Sequence, residues 1–74
     1  MGNYSSGDIM FNEKAFRVAL AEANKTQKKV AKECGVNENT ITNIKKGAEP
    51  GVYLAQKIAR AVNKKVEDLW SLDE

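Results

Sequence analysis

The sequence has no histidine, one cysteine, one proline and little excess of either charge. Without histidine, the usual zinc ligand sets and the His-based nucleophilic triads are excluded. Cys34 stands alone and cannot close an internal disulfide, which suits a reducing cytoplasm. No apolar run approaches the roughly 20 residues of a membrane span, and the N-terminus lacks the basic-then-apolar order of a secretory signal. The expectation is therefore a cytoplasmic chain with no membrane partner, no metal and no cofactor. At 74 residues a single core is only marginally sufficient, and little room is left for a catalytic cleft. No nucleophile with its base and no glycine loop for phosphate is present, so the chain does not read as an enzyme.

What is present is a bend between two helices. From Gln27 to Ile44 the residues form two short amphipathic segments at helical period, broken at one glycine. Val30, Ala31 and Cys34 share a face of the first segment, Ile41 and Ile44 share a face of the second, and Val36 fills the corner. Ala31 is small where two helix axes must approach closely. Gly35 sits where the first helix must stop in a left-handed conformation, which a residue without Cβ adopts at least cost. Asn37 then caps the next helix, with Val36 and Ile41 at the spacing of a hydrophobic staple.

Gln27, Ala31, Gly35, Val36, Ile41 and Ile44 in this spacing resemble the helix-turn-helix of the Cro/C1-type family, the small DNA-binding domains of phage repressors and related bacterial regulators. The likeness covers about residues 12 to 70, and it is specific because all these constrained positions agree at once. The competing reading is an αα-hairpin of some other helical protein, which rarely needs the small residue, the glycine and both apolar positions together. The resemblance implies an all-α, compact five-helix, lambda-repressor-like domain with no sheet and a helix-turn-helix at its second and third helices. It further implies sequence-specific binding of double-stranded DNA by a small repressor, as a homodimer at least on DNA, reading a pseudo-palindromic operator.

Read in order, residues 1–10 have no helical apolar period and are expected to be a flexible arm, with the domain over residues 11–72. Asn12 caps the first predicted helix, with Glu13 in its first turn where the helix dipole favours a negative charge. Phe11 and Phe16 have staple spacing, and Phe16, Ala19, Leu20 and Ala23 form its apolar stripe. Thr26 caps the second helix, which runs from about Lys28 to Cys34. A third helix from Glu38 to about Lys46 stops at Gly47. A fourth is expected over Val52–Val62, with Val52, Leu54, Ala55, Ile58, Ala59 and Val62 as its apolar positions and Asn63 where the family usually has glycine, and a fifth over Val66–Trp70. Lys65 is a poor N-cap for that last helix.

Net charge is only +2, but its distribution is uneven. Lys25, Lys28, Lys29, Lys32, Lys45 and Lys46 cluster on the predicted helix-turn-helix, whereas Glu67, Asp68, Asp73 and Glu74 crowd the C-terminal end with no base among them. A phosphate surface would meet that positive cluster, although lysines also commonly serve as a plain solvated face. With Ile41 and Ile44 turned inward, Glu38, Asn39, Thr42 and Asn43 must project on the other faces. By resemblance the base-reading positions are Asn37, Glu38, Asn39 and Asn43. Asparagine can pair bidentately with adenine, and Glu38 can accept from cytosine.

Candidate phosphate contacts are Gln27 and Lys28 at the start of the second helix, then Thr42, Lys45, Lys46 and Tyr53. In the family the position of Leu20 is often an arginine paired with a glutamate at the position of Lys45. Here neither is present, so Lys45 is expected to be free to face solvent or phosphate. The family also places basic residues in the loop after the third helix, where this chain has Ala48 and Glu49. Tyr53 has a second use open to it, packing its ring at the edge of the core. Leu69, Trp70 and Leu72 are the candidate dimer contacts, with Trp70 equally suited to closing the monomer's own core. A protein partner for the acidic, Trp70-containing end, as in an antitoxin-like interaction module, is the alternative reading of function.

Overall fold

The computed structural model describes residues 9–72. Five helices follow one another: α1 (Glu13–Ala23), α2 (Gln27–Cys34), α3 (Glu38–Lys45), α4 (Val52–Ala61) and α5 (Val66–Leu69). The helix ends follow from local chemistry. Asn12, Thr26 and Asn37 have extended backbones, and their side-chain oxygens accept from the N–H groups of Ala15, Lys29 and Asn39 at 2.9, 3.1 and 2.8 Å. Each satisfies a donor that the first turn of a helix leaves without a partner. At the opposite ends, Asn24, Gly35 and Asn63 take positive φ. Asn63 thus fills the left-handed role usually given to glycine, because asparagine visits that region more readily than most residues.

The core is one cluster drawn from every helix. Phe16 and Ala19 of α1, Val30, Ala31 and Cys34 of α2, Ile41 and Ile44 of α3, Ile58 and Ala59 of α4, then Val62 and Leu69, are all buried. Ala31 is only 2% exposed, as a close approach of helix axes demands. Val36 packs against this cluster at the bend. Val52 does not join it: expected on the apolar face of α4, it is 76% exposed at the helix start.

The all-α, five-helix reading holds, with one addition. Ile9–Phe11 (β1) and Trp70–Leu72 (β2) form a two-stranded antiparallel ribbon, in register Ile9↔Leu72, Met10↔Ser71 and Phe11↔Trp70. The expectation of no sheet is corrected to that extent. Ile9 and Met10, expected in the arm, run in β1, while residues 1–8 of the arm lie outside the described residues. Trp70, expected to end the fifth helix, begins β2 instead. Its ring meets Phe11 at 4.9 Å between centroids, and Phe11 meets Phe16 at 5.3 Å. Such tilted pairs add about 0.5–1.5 kcal/mol beyond the area they bury. The Asn12 N–H donates to the Leu69 carbonyl at 2.7 Å, so the two ends are stitched on both sides of the aromatic contact. The α4–α5 corner is closed despite its lysine cap, since the Asp68 carboxylate accepts from the Lys65 N–H at 2.9 Å.

Candidate nucleic-acid interface

The bend positions two helix N-termini, and each is sharply defined by its cap. Gly35 ends α2 at φ +74°, and Asn37 starts α3 two residues later. Sinking Ile41 and Ile44 leaves Asn37, Glu38, Asn39 and Asn43 exposed on α3 and its cap. All four candidate base-reading residues therefore reach solvent together. Asn37 has a structural role as well, since its side-chain oxygen is occupied by the Asn39 N–H.

The candidate phosphate contacts divide into two groups. Lys28, Lys46 and Tyr53 are exposed, and the Tyr53 ring, 73% exposed, lies beside the Lys57 ammonium at 4.8 Å rather than at the core edge. Gln27, Thr42 and Lys45 are half-buried and bound to one another. The Lys45 ammonium donates to Gln27 Oε1 at 3.0 Å, and Gln27 Nε2 donates to Thr42 Oγ1 at 2.9 Å. On its other side Lys45 lies 3.6 Å from Glu13 Oε2. Lys45, expected to be free, is therefore held by partners on two other helices, with 29% of its side chain still exposed. Its long stem reaches between the first turn of α1 and the first residue of α2.

In sequence Glu13 suits only the helix dipole, and no spacing rule links it to Lys45. It is nonetheless the acidic partner of this network. Lys25 also leaves the set of available charges. Its ammonium donates to Glu33 Oε1 at 2.8 Å and to the Ala61 carbonyl at 2.7 Å, tying the α1–α2 turn to the end of α4. That hydrogen bond holds the Glu33 carboxyl below its usual range against an opposing effect of desolvation, with the charges of Lys25 and then Lys29 adding to the lowering. Cys34 is buried, and burial pushes its thiol pKa up, consistent with a core residue.

One candidate dimer contact is withdrawn. Leu69 is 0% exposed at the centre of the core and cannot meet a second protomer without opening the fold. Trp70 is half-buried against Phe11 and keeps an accessible edge. The side chain of Leu72 lies outside what the structure describes, although its backbone pairs with Ile9. No group of metal-ligating side chains gathers among the described residues, and none of their helices is long and apolar enough to cross a membrane.

A helix-turn-helix family model matches residues 14–69, from the first turn of α1 to the end of α5. The chain belongs to the Cro/C1-type helix-turn-helix family. Relatives are similar over much the same stretch. One uncharacterized HTH-type transcriptional regulator of Archaeoglobus fulgidus is 46% identical over 55 residues, covering 73% of this chain and 78% of the relative. A second from the same organism is 42% identical over 55 residues, 73% of this chain and 79% of its own length. A third, from Methanothermobacter thermautotrophicus, is 40% identical over 55 residues, 72% and 80% respectively. Within this helix-turn-helix frame, α3 occupies the place of the recognition helix and α2 the helix before it.

Proposed function

We propose that this domain is a DNA-binding transcriptional regulator, acting as a homodimeric repressor that reads a pseudo-palindromic operator. The observation that carries the reading is the joint exposure of Asn37, Glu38, Asn39 and Asn43 on a helix whose other face is buried. Asparagine is a mediocre helix former, and only Asn37 has a capping reason to be there. Asn39 or Asn43 pairs with adenine at N6 and N7, while Glu38 accepts from cytosine N4. A carboxylate near DNA is repelled by phosphate unless it finds such a donor, so Glu38 rejects wrong sequences as much as it binds the right one.

α3 lies in the major groove and α2 crosses the backbone. The α2 N-terminus, with its free N–H groups, Gln27 and Lys28, faces one phosphate, and Lys46 and Tyr53 face the strand beyond α3. In a two-fold dimer the two recognition helices sit about 34 Å apart, one helical turn. The accessible edge of Trp70 joins the dimer surface. The test is selection of bound sequences from a random duplex library at two salt concentrations. An enriched pseudo-palindrome is the expected outcome, with affinity falling at a log–log slope of about −0.9 per phosphate contacted. Recovery of unenriched DNA, or of none, would overturn the reading and leave the bend as the scaffold of a protein-interaction module.

A further inference from the structure

The lysine that ends α3 is a cation of the interface already bound to neutral and acidic partners from two other helices. We propose that Lys45, anchored by Glu13, is a positioning residue that fixes the Gln27 carboxamide and, through it, turns the Thr42 hydroxyl into a donor for DNA. The proposal rests on the DNA-binding reading above. An ammonium has three donors and no acceptor, so only the oxygen end of a carboxamide can face it. Lys45 therefore dictates which way the Gln27 amide lies. Oε1 is held at 3.0 Å, and Nε2 is thereby placed 2.9 Å from Thr42 Oγ1.

The direction of the chain of hydrogen bonds follows. Glu13 holds the Lys45 ammonium as an ion pair at 3.6 Å, Lys45 donates to Gln27, and Gln27 donates to Thr42. Because the Thr42 oxygen is already accepting, its proton is left to be given to an acceptor such as a phosphate or base-edge oxygen. Gln27 Nε2 also keeps a second N–H beside the α2 N-terminus. Every donor in the chain points the same way, and bonds in such a series polarise one another. The ammonium keeps a third N–H, but Gln27 and Glu13 fix its position, so its charge is directed first at partners inside the domain.

The experiment uses the full chain and the variants Lys45→Met, Lys45→Arg, Gln27→Ala and the double variant Lys45→Met/Gln27→Ala, each first checked for a native thermal transition. In the free protein, NMR follows the two Gln27 side-chain amide protons. They are expected to be resolved and slowed in exchange, to lose both properties in Lys45→Met, and to keep them in Lys45→Arg. On selected duplex, Lys45→Met and Gln27→Ala should each weaken binding about tenfold, the size of one hydrogen bond to a charged acceptor, and the double variant should be no worse than either. The salt slope should change by much less than the roughly 0.9 of one lost phosphate contact. Gln27 amide protons indifferent to Lys45→Met would overturn the proposal. So would additive losses with a slope reduced by about 0.9, which would make Lys45 a direct phosphate contact and leave the DNA-binding reading intact. Failure of the unaltered chain to bind any duplex would overturn that reading and the Thr42 donor role with it, while the NMR measurement would still decide whether Lys45 orients Gln27.

Discussion

Truncating Leu69 to alanine separates a core residue from an interface residue. Leu69 is 0% exposed, is the last residue of α5, and supports the Phe11–Trp70 contact through the bond from the Asn12 N–H to its carbonyl. The backbone bond survives the substitution, so the loss is that of the buried side chain and of the cavity it leaves, about 2–5 kcal/mol. A domain of this length has a total stability of about 4–11 kcal/mol, at roughly 0.05–0.15 kcal/mol per residue. One substitution thus removes a large part of it. At about 4–8 °C per kcal/mol, a loss of about 3 kcal/mol lowers Tm by roughly 12–24 °C. Thermal unfolding followed by far-UV circular dichroism over a wide range of protein concentration is the assay. The drop should be the same at every concentration, because the packing around Leu69 lies within one chain. A variant that kept its Tm at high dilution and lost only self-association would refute the burial argument and return Leu69 to a dimer surface.

Further outcomes follow from the same geometry. Asn39→Ala should cost about 1–3 kcal/mol on the selected site and relax one base position, whereas Lys46→Ala should weaken all duplexes alike and reduce the salt slope by about 0.9. Equal losses on specific and random DNA for both variants would refute that division of labour. Gly35→Ala introduces a Cβ into open space at φ +74°, so only the left-handed backbone penalty applies, about 1–2 kcal/mol by urea unfolding. A much larger loss would mean that packing, not backbone conformation, requires the glycine. The Glu33 carboxyl has its folded pKa held below the usual 4.5, so its contribution to stability is complete above that value and is lost as pH falls through the folded value. Glu33→Gln should flatten that part of the acid unfolding curve, and an unchanged acid limb would show that the Lys25 pair carries no linkage.

The parts of the fold that were legible in the sequence are those decided within a few residues. Asn12, Thr26 and Asn37 are short oxygen-bearing side chains ahead of amphipathic runs, and Gly35 and Asn63 follow such runs, so caps and stops were local decisions. Placing Ile41 and Ile44 inward put Glu38, Asn39 and Asn43 outside, whereas Thr42, expected to project with them, is half-buried, and Asn37 was singled out by the family resemblance. The ribbon was not legible. Its strands have three residues each and pair across almost the whole chain, with no turn sequence between them to announce a hairpin. The partners of Lys45 were hidden for a related reason: a lysine reaches far, and the sequence shows that it carries a charge without showing which helix the charge lies against. Glu13 and Lys45 are on different helices, and Lys25 and Glu33 are joined across a turn, so neither pair has the spacing that marks an ion pair along one helix. Val52 kept its periodic position on α4 but, as the first residue of the helix, lies exposed beside Tyr53, while Leu54 and Ala55 after it pack inward.

The ribbon also decides how the domain responds to force. Ile9 opens β1 and Leu72 closes β2, and as direct partners in an antiparallel pair their Cα atoms lie about 5 Å apart. A pull applied through residues 9 and 72 therefore loads the ladder one rung at a time, from Ile9↔Leu72 toward Phe11↔Trp70, and opens it like a zip instead of shearing all rungs together. The helices stay unloaded until the Phe11–Trp70 contact parts. For the same reason, residue 72 can be joined to residue 9 by a short linker, and new ends opened in the Ala48–Gly51 loop, without stretching the fold: from residue 9 to residue 72 the backbone is already close to a closed ring.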